Sequence, residues 1–418
     1  MARAPVKRSD REAQTVNRRP LWVLCATVLV DMIGFGIVLP LLPFYAESMG
    51  ATPLMVTVLF ASFSGMQLAA APVWGRVSDR TGRRPLLVAG LFASAMSYLI
   101  FGLATSVWLI LLSRMAAGAA GGTISVAQAY VADMTAGEDR AHGMGLIGAA
   151  SGLGVMIGPA IGGFASEWWG LGAPGFVAAG LCLLNGVAAI WFLPESFPRT
   201  SGERRPPIAL GEWLRSFGRW PLSILFSVYF LSISSFTAMT AILALYLERR
   251  FGIGAAEMGY LMTWAGFVTV VVRGALLGRL VRAFGEPRVA RLGVLLLGIS
   301  LITMPAIPGI GFAALIVGLY AFGAGTLFPS LASLVSRATD AASQGSILGG
   351  SQIVGGLGRV IGPLWAGLVF QSVGISSPFF VGAACLALAM IIALRIPAAG
   401  PTAAPTPAAA TASGEVAG

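Results

Sequence analysis

The sequence is short of charged residues. Asp, Glu, Lys and Arg make up 11% of the chain, whereas a soluble domain carries about 25%. Hydrophobic residues make up 56%, and the mean hydropathy is +0.83. This composition excludes a globular domain exposed to water. Apolar runs of roughly 20 residues recur along the whole chain, and each is long enough to cross a lipid bilayer.

Residue types that build metal and redox sites are also scarce. His142 is the single histidine and cannot form a metal cluster alone. Cys25, Cys182 and Cys385 lie isolated in apolar runs, which indicates packing rather than a disulfide. A P-loop of the GxxxxGK[ST] type is lacking, which argues against transport driven by ATP. We therefore predict no enzyme activity, no metal site and no cofactor.

The apolar runs predict twelve helical spans. Their expected limits are 21–45, 54–75, 86–104, 107–132, 142–165, 173–193, 220–247, 256–278, 289–307, 310–335, 344–370 and 374–396. A polar, proline-containing stretch separates the first six spans from the last six. The predicted order is a cytoplasmic basic N-tail (1–20), an N-terminal six-helix bundle (21–193), a cytoplasmic linker (194–219), a C-terminal six-helix bundle (220–396) and a disordered cytoplasmic tail (397–418).

The net charge of +10 does not indicate a nucleic-acid partner, because the cations lie in short segments on one side of the predicted spans. With the N-terminus inside, the outside loops hold only Arg249 and Arg250. This asymmetry predicts that both termini are cytoplasmic. Arginine also far outnumbers lysine, which is typical of a GC-rich genome. The expected location is the inner membrane of a bacterium.

The two predicted halves repeat one another. GLGVMIGPAIGG at 152–163 matches GLGRVIGPLWAG at 356–367, and GRVSDRTG at 75–82 matches GRLVRAFG at 278–285. The two offsets, 204 and 203 residues, are nearly equal. Such parallel halves are the architecture in which a site at the membrane midplane alternates between the two sides.

The segment GRVSDRTGRRP at 75–85, between predicted spans 2 and 3, resembles the signature loop of the major facilitator superfamily. Gly75 and Gly82 permit a tight turn. One interpretation is a conformational latch, in which Asp79 meets the start of span 11 near Gln344 and Gly345, where the helix dipole favours an anion. The alternative is a charged loop that only sets topology. The latch candidates are Asp79, Arg76, Arg80, Arg83 and Arg84.

A second motif lies in span 5. The GPxxGG element resembles a motif of exporting drug/proton antiporters that importing symporters generally lack. Its residues, with the glycine that precedes it, are Gly154, Gly158, Pro159, Gly162 and Gly163. The resemblance implies export by antiport, while the residue types also indicate a close-packed helix interface with a proline kink.

Asp31 in span 1 is a carboxylate near mid-membrane, and burying it is costly unless it is paired or protonated. Asp31 with the glycines and prolines after it resembles span 1 of the tetracycline/proton antiporters. Arg114 in span 4, followed by small residues, resembles their proton-transfer motif. The resemblance implies that Asp31 and Arg114 couple transport to protons. The alternatives are a structural ion pair for Asp31, and for Arg114 a side chain that snorkels to the outer interface.

Arg273, Arg359 and Gln128 are candidates for substrate binding. A charged side chain inside a span should face a cavity or a partner, and the alternative is structural pairing with backbone carbonyls. Unlike the tetracycline antiporters, the sequence has no buried acid in spans 3 and 9. This difference favours a neutral, zwitterionic or anionic substrate over a lipophilic cation.

Together these features predict an all-α membrane protein with the major facilitator fold, in which twelve transmembrane helices form two pseudo-symmetric six-helix bundles. The expected function is that of a proton-coupled secondary transporter. It exports a small organic compound, a drug or a secreted metabolite, by alternating access and acts as a monomer. The alternatives are a proton symporter that imports a metabolite and a membrane sensor that does not transport.

Overall fold

A computed structural model describes residues 19–135, 137–196, 220–339 and 344–397. Most of the predicted N-tail, linker and C-terminal tail, namely 1–18, 197–219 and 398–418, lies outside the described residues. The described chain is helical and contains no β-strand.

The helices form twelve successive spans. They are span 1, Arg19–Val38; span 2, Pro53–Thr81; span 3, Arg83–Gly102; span 4, Val107–Ala120 with Thr123–Met134; span 5, Gly137–Trp169; span 6, Ala173–Phe192; span 7, Leu222–Phe251; span 8, Ala255–Val271 with the π-helix Val272–Leu276 and Leu277–Phe284; span 9, Glu286–Thr303; span 10, Ile310–Arg337; span 11, Gln344–Ser372; and span 12, Ser377–Ala393. Short helices occupy Leu42–Glu47 and Met304–Ala306. Spans 1 to 11 are long and apolar enough to cross a membrane. Span 12 has 17 residues, about 26 Å of helix, which is near the lower limit for crossing.

Three predicted boundaries were wrong by six or seven residues: the ends of span 1, span 2 and span 8, the last of which extends to Phe284 rather than to residue 278. Span 1 ends at Val38 rather than at residue 45, because Pro40 and Pro43 supply no backbone N–H donors and interrupt the helix. The signature segment 75–85 is helical rather than a loop. Span 2 continues to Thr81, span 3 begins at Arg83, and Gly82 alone joins them with a positive φ of 98°.

Eight spans form a closed ring around a central space. Spans 1, 5, 8, 10, 7, 11, 2 and 4 pack in that order, and span 4 returns to span 1. Spans 3, 6, 9 and 12 pack outside the ring, span 3 against spans 4 and 6 and span 9 against spans 10 and 12. The ring places span 4 opposite span 10 and span 1 opposite span 7.

The backbone repeats as the sequence does. The described glycines with positive φ form three pairs, each separated by 202 to 204 residues: Gly50 with Gly252, Gly82 with Gly285, and Gly170 with Gly374. Gly82 joins spans 2 and 3 just as Gly285 joins spans 8 and 9. The two halves therefore have the same helix order and the same turns, as duplication predicts.

The two ends of the ring differ. We call them the Glu47 end, where the short helix Leu42–Glu47 lies, and the Arg83 end, where spans 2 and 3 are joined. At the Glu47 end the halves are in contact. Arg249 Nη2 of span 7 lies 2.9 Å from Glu47 Oε1, and the Leu54 amide donates to Gln371 Oε1 at 3.2 Å. The Thr57 side chain packs against Gly367.

Toward the Arg83 end the halves diverge. Span 5 contacts span 8 closely at Gly163 and Met156, where Ala256 and Gly266 approach. Further along span 5, a Cβ added at Gly148 or Gly145 would meet nothing within 4 Å. Span 2 likewise diverges from span 11 toward the Arg83 end. A Cβ added at Gly65 would lie 3.8 Å from Val360 Cγ2 of span 11, whereas a Cβ added at Gly75 would meet no atom within 4 Å. The central space is therefore closed at the Glu47 end and open at the Arg83 end.

The Glu47–Arg249 ion pair predicts the effect of reversing its charges. Glu47→Arg or Arg249→Glu alone should open the Glu47 end, because each places two like charges where the halves meet. The double variant restores an ion pair and should close it again. Accessibility of Leu54→Cys to a membrane-impermeant thiol reagent measures the change. Equal labelling of all four proteins would contradict a closing role for the pair.

Candidate functional site

Asp31 lies inside the N-terminal bundle. It is 6% exposed, and in the described chain it has no ion pair. One turn further along span 1, Gly34 packs against spans 3 and 6. A Cβ there would lie 3.2 Å from Cys182 Sγ and 3.3 Å from the Tyr98 ring. The carboxyl group is thus enclosed by apolar and weakly polar side chains.

Span 4 is interrupted beside Asp31. Its first helix ends at Ala120, and its second begins at Thr123 after Gly121 and Gly122. The Thr123 hydroxyl is within interaction range of Asp31, is buried, and has no hydrogen-bond partner among the described residues. The first turn of a helix favours a negative charge, because its backbone N–H groups have no intrahelical acceptors. The interruption therefore provides Asp31 with a polar surface inside an apolar bundle.

Two side chains of span 2 satisfy the backbone at this interruption. Gln67 Nε2 donates to the Gly121 carbonyl at 3.1 Å, and Trp74 Nε1 donates to the Ala119 carbonyl. The Trp74 ring also covers Gly122, where a Cβ would lie 2.8 Å from it. Because a free carbonyl inside a membrane costs several kcal/mol, span 2 supports the break in span 4.

Arg114 is buried rather than snorkelling, with 4% of its surface exposed. Its guanidinium lies 5.0 Å from the Phe101 ring centre and 5.8 Å from that of Tyr98, and it donates to Ser113 Oγ at 3.2 Å. Its Nε has no partner in the described chain. Arg114 does not form an ion pair with Asp31 in this conformation. Tyr98 is within electrostatic range of both.

The antiporter motif joins span 5 to spans 1 and 8. A Cβ at Gly154 would lie 2.6 Å from the Leu29 carbonyl, and one at Gly158 would lie 2.6 Å from the Ile33 carbonyl. Gly162 likewise packs on the Ile37 carbonyl. Pro159 and Gly163 contact Gly259 of span 8. The span that carries Asp31 is thus packed, backbone to backbone, on a span that also contacts the opposite half.

Arg359 lies on the side of span 11 that faces the central space. One side of span 11 packs on span 7 through Gly355, Gly358 and Gly362, and another packs on span 2 through Gly356 and Gly367. At about 100° per residue, Arg359 lies between these two sides. The opposite side carries exposed large apolar residues: Ile353, Leu357, Ile361, Leu364 and Leu368. Arg359 therefore points between spans 2 and 7, into the ring.

Arg273 likewise lies on the side of span 8 that faces the central space. The exposed apolar residues of span 8 share one side of the helix: Tyr260, Trp264, Phe267 and Val271. Arg273 and Thr269 lie on the opposite side, between the contacts to spans 5 and 10. Arg273 is exposed although it lies within a span. Gln128 is also exposed, on a helix that packs against spans 1, 2, 3 and 5.

The arginines of the signature segment bind within the N-terminal half. Arg83 Nε lies 2.8 Å from Asp133 Oδ2 of span 4, and Arg76 Nε donates to the Pro72 carbonyl. Arg84 donates to the Ile190 carbonyl, and Arg80 is exposed. The side chains of Asp79, Gln344 and Gly345, on which the latch prediction rests, lie outside the description.

Sequence reasoning missed several residues of this site. Asp133, an exposed residue at the end of span 4, pairs with Arg83. Glu195, assigned to the linker, accepts a hydrogen bond from the Arg83 amide at 2.9 Å. Thr123 and Tyr98 were not singled out. The Gly121–Gly122 pair before Thr123 was the available signal for the break in span 4.

The family model for the Major Facilitator Superfamily matches residues 24–273 and 225–416. The chain belongs to this superfamily. It is a family of transporters rather than enzymes, in agreement with the expectation from sequence.

Curated relatives cover most of the chain. The class C tetracycline resistance protein of Escherichia coli is 32% identical over 360 residues, 83% of this chain and 89% of the relative. Multidrug resistance protein 2 of Bacillus subtilis is 29% identical, over 90% of this chain and 93% of the relative. The crystal structure of the human organic anion transporter MFSD10 (TETRAN) has a TM-score of 0.70 and 26% identity, and covers 90% of this chain and 99% of that one.

The close contact of Gly158 with span 1 predicts that adding even a methyl group there will impair stability and transport. Gly158→Ala should lower the melting temperature and the transport rate, since its Cβ would overlap backbone atoms that cannot rotate away. Overpacking of this kind typically costs about 1–3 kcal/mol. Gly148→Ala, in the same span but with open space around it, is the matched control. If both variants melt and transport alike, the close contact is not required.

Proposed function

We propose that this protein exports small organic molecules from the cytoplasm in exchange for protons, by alternating access of the central space. The observation that carries the proposal is Asp31, a buried carboxyl group two residues from the Ile33 contact with the antiporter motif. Relatives named tetracycline and multidrug resistance proteins support export rather than import.

The proposed orientation places the Arg83 end in the cytoplasm. This end carries the arginines of the signature segment, while the Glu47 end has few cations beyond Arg249 and Arg250. The positive-inside rule then supports cytoplasmic termini. Similarity to resistance proteins of Escherichia coli and Bacillus subtilis supports the cell membrane of a bacterium, and we propose the inner membrane. A complete ring within one chain supports function as a monomer.

In the proposed mechanism Asp31 carries the proton. It forms no ion pair with Arg114 in this conformation, although Tyr98 interacts electrostatically with both, and it lies beside the start of the second helix of span 4. Movement of Arg114 toward Asp31 would stabilise the carboxylate and release its proton. Because spans 1 and 5 are packed backbone to backbone, Asp31 moves with the wall that meets span 8.

We also propose that Arg273, Arg359 and Gln128 bind the substrate. Two arginines and an amide as binding groups favour a neutral, zwitterionic or anionic compound over a lipophilic cation. The name organic anion transporter, given to the human relative, supports this preference. In this conformation the open Arg83 end would admit the substrate from the cytoplasm, which is the first step of export.

For the signature segment, we propose that Asp79 latches the start of span 11 when the Arg83 end is closed. Its arginines support this function by holding spans 2, 3 and 4 together at the Arg83 end. Arg83 does so through Asp133 and Ser78. The latch then biases the two conformations and does not contact the substrate.

Asp31→Asn should abolish export driven by a pH gradient and leave insertion unchanged, because an amide cannot carry the proton. Reconstituted vesicles loaded with a panel of fluorescent drugs and organic anions provide the measurement, with and without the gradient. Asp139→Asn, at an exposed carboxylate of span 5, is the control. Gradient-dependent export by Asp31→Asn would refute proton transfer at this residue.

Arg359→Met should raise the substrate dissociation constant and leave thermal stability nearly unchanged, since its guanidinium points into the central space. Arg395→Met removes an exposed cation beyond span 12 and should alter neither. Binding and melting temperature are measured on the same purified proteins. Lost stability with retained affinity would assign Arg359 a structural function instead.

A further inference from the structure

The two halves carry opposite charges at equivalent positions of the repeat. At the Glu47 end, the offset of 202 residues that relates Gly50 to Gly252 also relates Glu47 to Arg249. These two residues form the ion pair that joins the halves. A pseudo-two-fold axis brings equivalent positions together where the halves meet. Like charges would repel there, so charged residues at equivalent positions must differ in sign if they are to form a contact.

The same pattern recurs twice at the Arg83 end. Arg83 follows Gly82, and Glu286 follows the equivalent Gly285. In the last turns of spans 4 and 10, Asp133 corresponds to Arg337. The register of the second pair is fixed by a shared hydrogen bond. Thr135 Oγ1 donates to the Val131 carbonyl, and Thr339 Oγ1 donates to the Val335 carbonyl, 204 residues later.

In this conformation each of these four charged residues forms an ion pair within its own half of the chain. Arg83 Nε lies 2.8 Å from Asp133 Oδ2, and Arg337 Nη2 lies 3.0 Å from Glu286 Oε1. The member on span 3 or span 9 is the more buried one. Arg83 and Glu286 are 11% and 10% exposed, whereas Asp133 and Arg337 are 26% and 59% exposed. The accessible charges are therefore the ones at the ends of spans 4 and 10.

Spans 4 and 10 lie opposite each other in the ring. Spans 1 and 7, which lead to Glu47 and Arg249, are another opposed pair and are joined at the Glu47 end. Closing the Arg83 end brings the last turns of spans 4 and 10 toward each other. Asp133 and Arg337 are the accessible opposite charges on those turns.

We propose that Asp133 and Arg337 form the ion pair that closes the Arg83 end in the opposite transport state. Neither the Arg83–Asp133 nor the Arg337–Glu286 ion pair needs to break for this contact to form. The contact joins Arg83, Asp133, Arg337 and Glu286 into one network in which positive and negative charges alternate. This inference concerns the conformational cycle and does not depend on which substrate or ion is carried.

A double-mutant cycle tests the contact. Nitroxide labels replace Val77 and Phe284, exposed residues of spans 2 and 8 near the Arg83 end, in a background whose native cysteines are changed to alanine. Pulsed dipolar spectroscopy then gives the ratio of short to long distances between the labels. Asp133→Asn and Arg337→Gln should each lower this ratio about two- to five-fold, as expected for an ion pair near the surface. The double variant should be no lower than either single variant, because the same contact is lost in all three.

Two further variants make the result decisive. Arg337→Lys keeps the charge and should keep most of the short-distance population. Arg288→Gln removes an exposed cation at the same end whose repeat equivalent is the uncharged Pro85, and it should leave the ratio unchanged. Additive effects of Asp133→Asn and Arg337→Gln, or a ratio equal to that of the parent in both, would overturn the proposal. An equal shift in Arg288→Gln would attribute the effect to net charge and overturn it as well.

Discussion

The close approach of spans 1 and 5 is the constraint on which the rest of the site depends. Three glycines spaced four residues apart place their Cα atoms against carbonyl groups of span 1, where no side chain fits. Membrane helices gain little from apolar contact with one another, because the lipid is equally apolar, so packing at this distance supplies the attraction. The contact fixes the height and rotation of Asp31 relative to span 5. Through Gly163, span 5 in turn contacts the C-terminal half.

Much of the fold was predictable because a bilayer limits the choice of structure. A chain with long apolar runs and few charges must satisfy its backbone internally, and helices do so within each segment. The repeat was readable for a similar reason, since identical turns need glycine at equivalent positions. The boundaries at Val38 and Thr81 were not predictable from hydropathy. They depend on two prolines in one case and in the other on a polar stretch that remains helical.

The site was predicted only in part. A lone carboxylate or arginine inside a span is conspicuous, so Asp31, Arg114, Arg273 and Arg359 were identifiable from the sequence. Their partners were not, because Tyr98 and Thr123 are ordinary residues whose importance comes from position. The approach of Arg114 to Asp31, as proposed above, concerns another conformation. The ion pair of Asp133 with Arg83 was not predictable, because a residue at a helix end can be solvated, paired or both, and only the arrangement of span 3 decides.

The single-residue joint at Gly82 has a mechanical consequence. A longer loop would let span 2 slide or tilt without disturbing span 3. One glycine between two helices leaves only two soft torsions, and Glu195 holds the first amide of span 3 at 2.9 Å. Spans 2 and 3 are therefore rigidly connected. Gln67 and Trp74, part-way along span 2, donate hydrogen bonds to the backbone carbonyls at the break in span 4. A displacement of span 2 would therefore also displace the start of the second span 4 helix, which lies beside the buried carboxyl group.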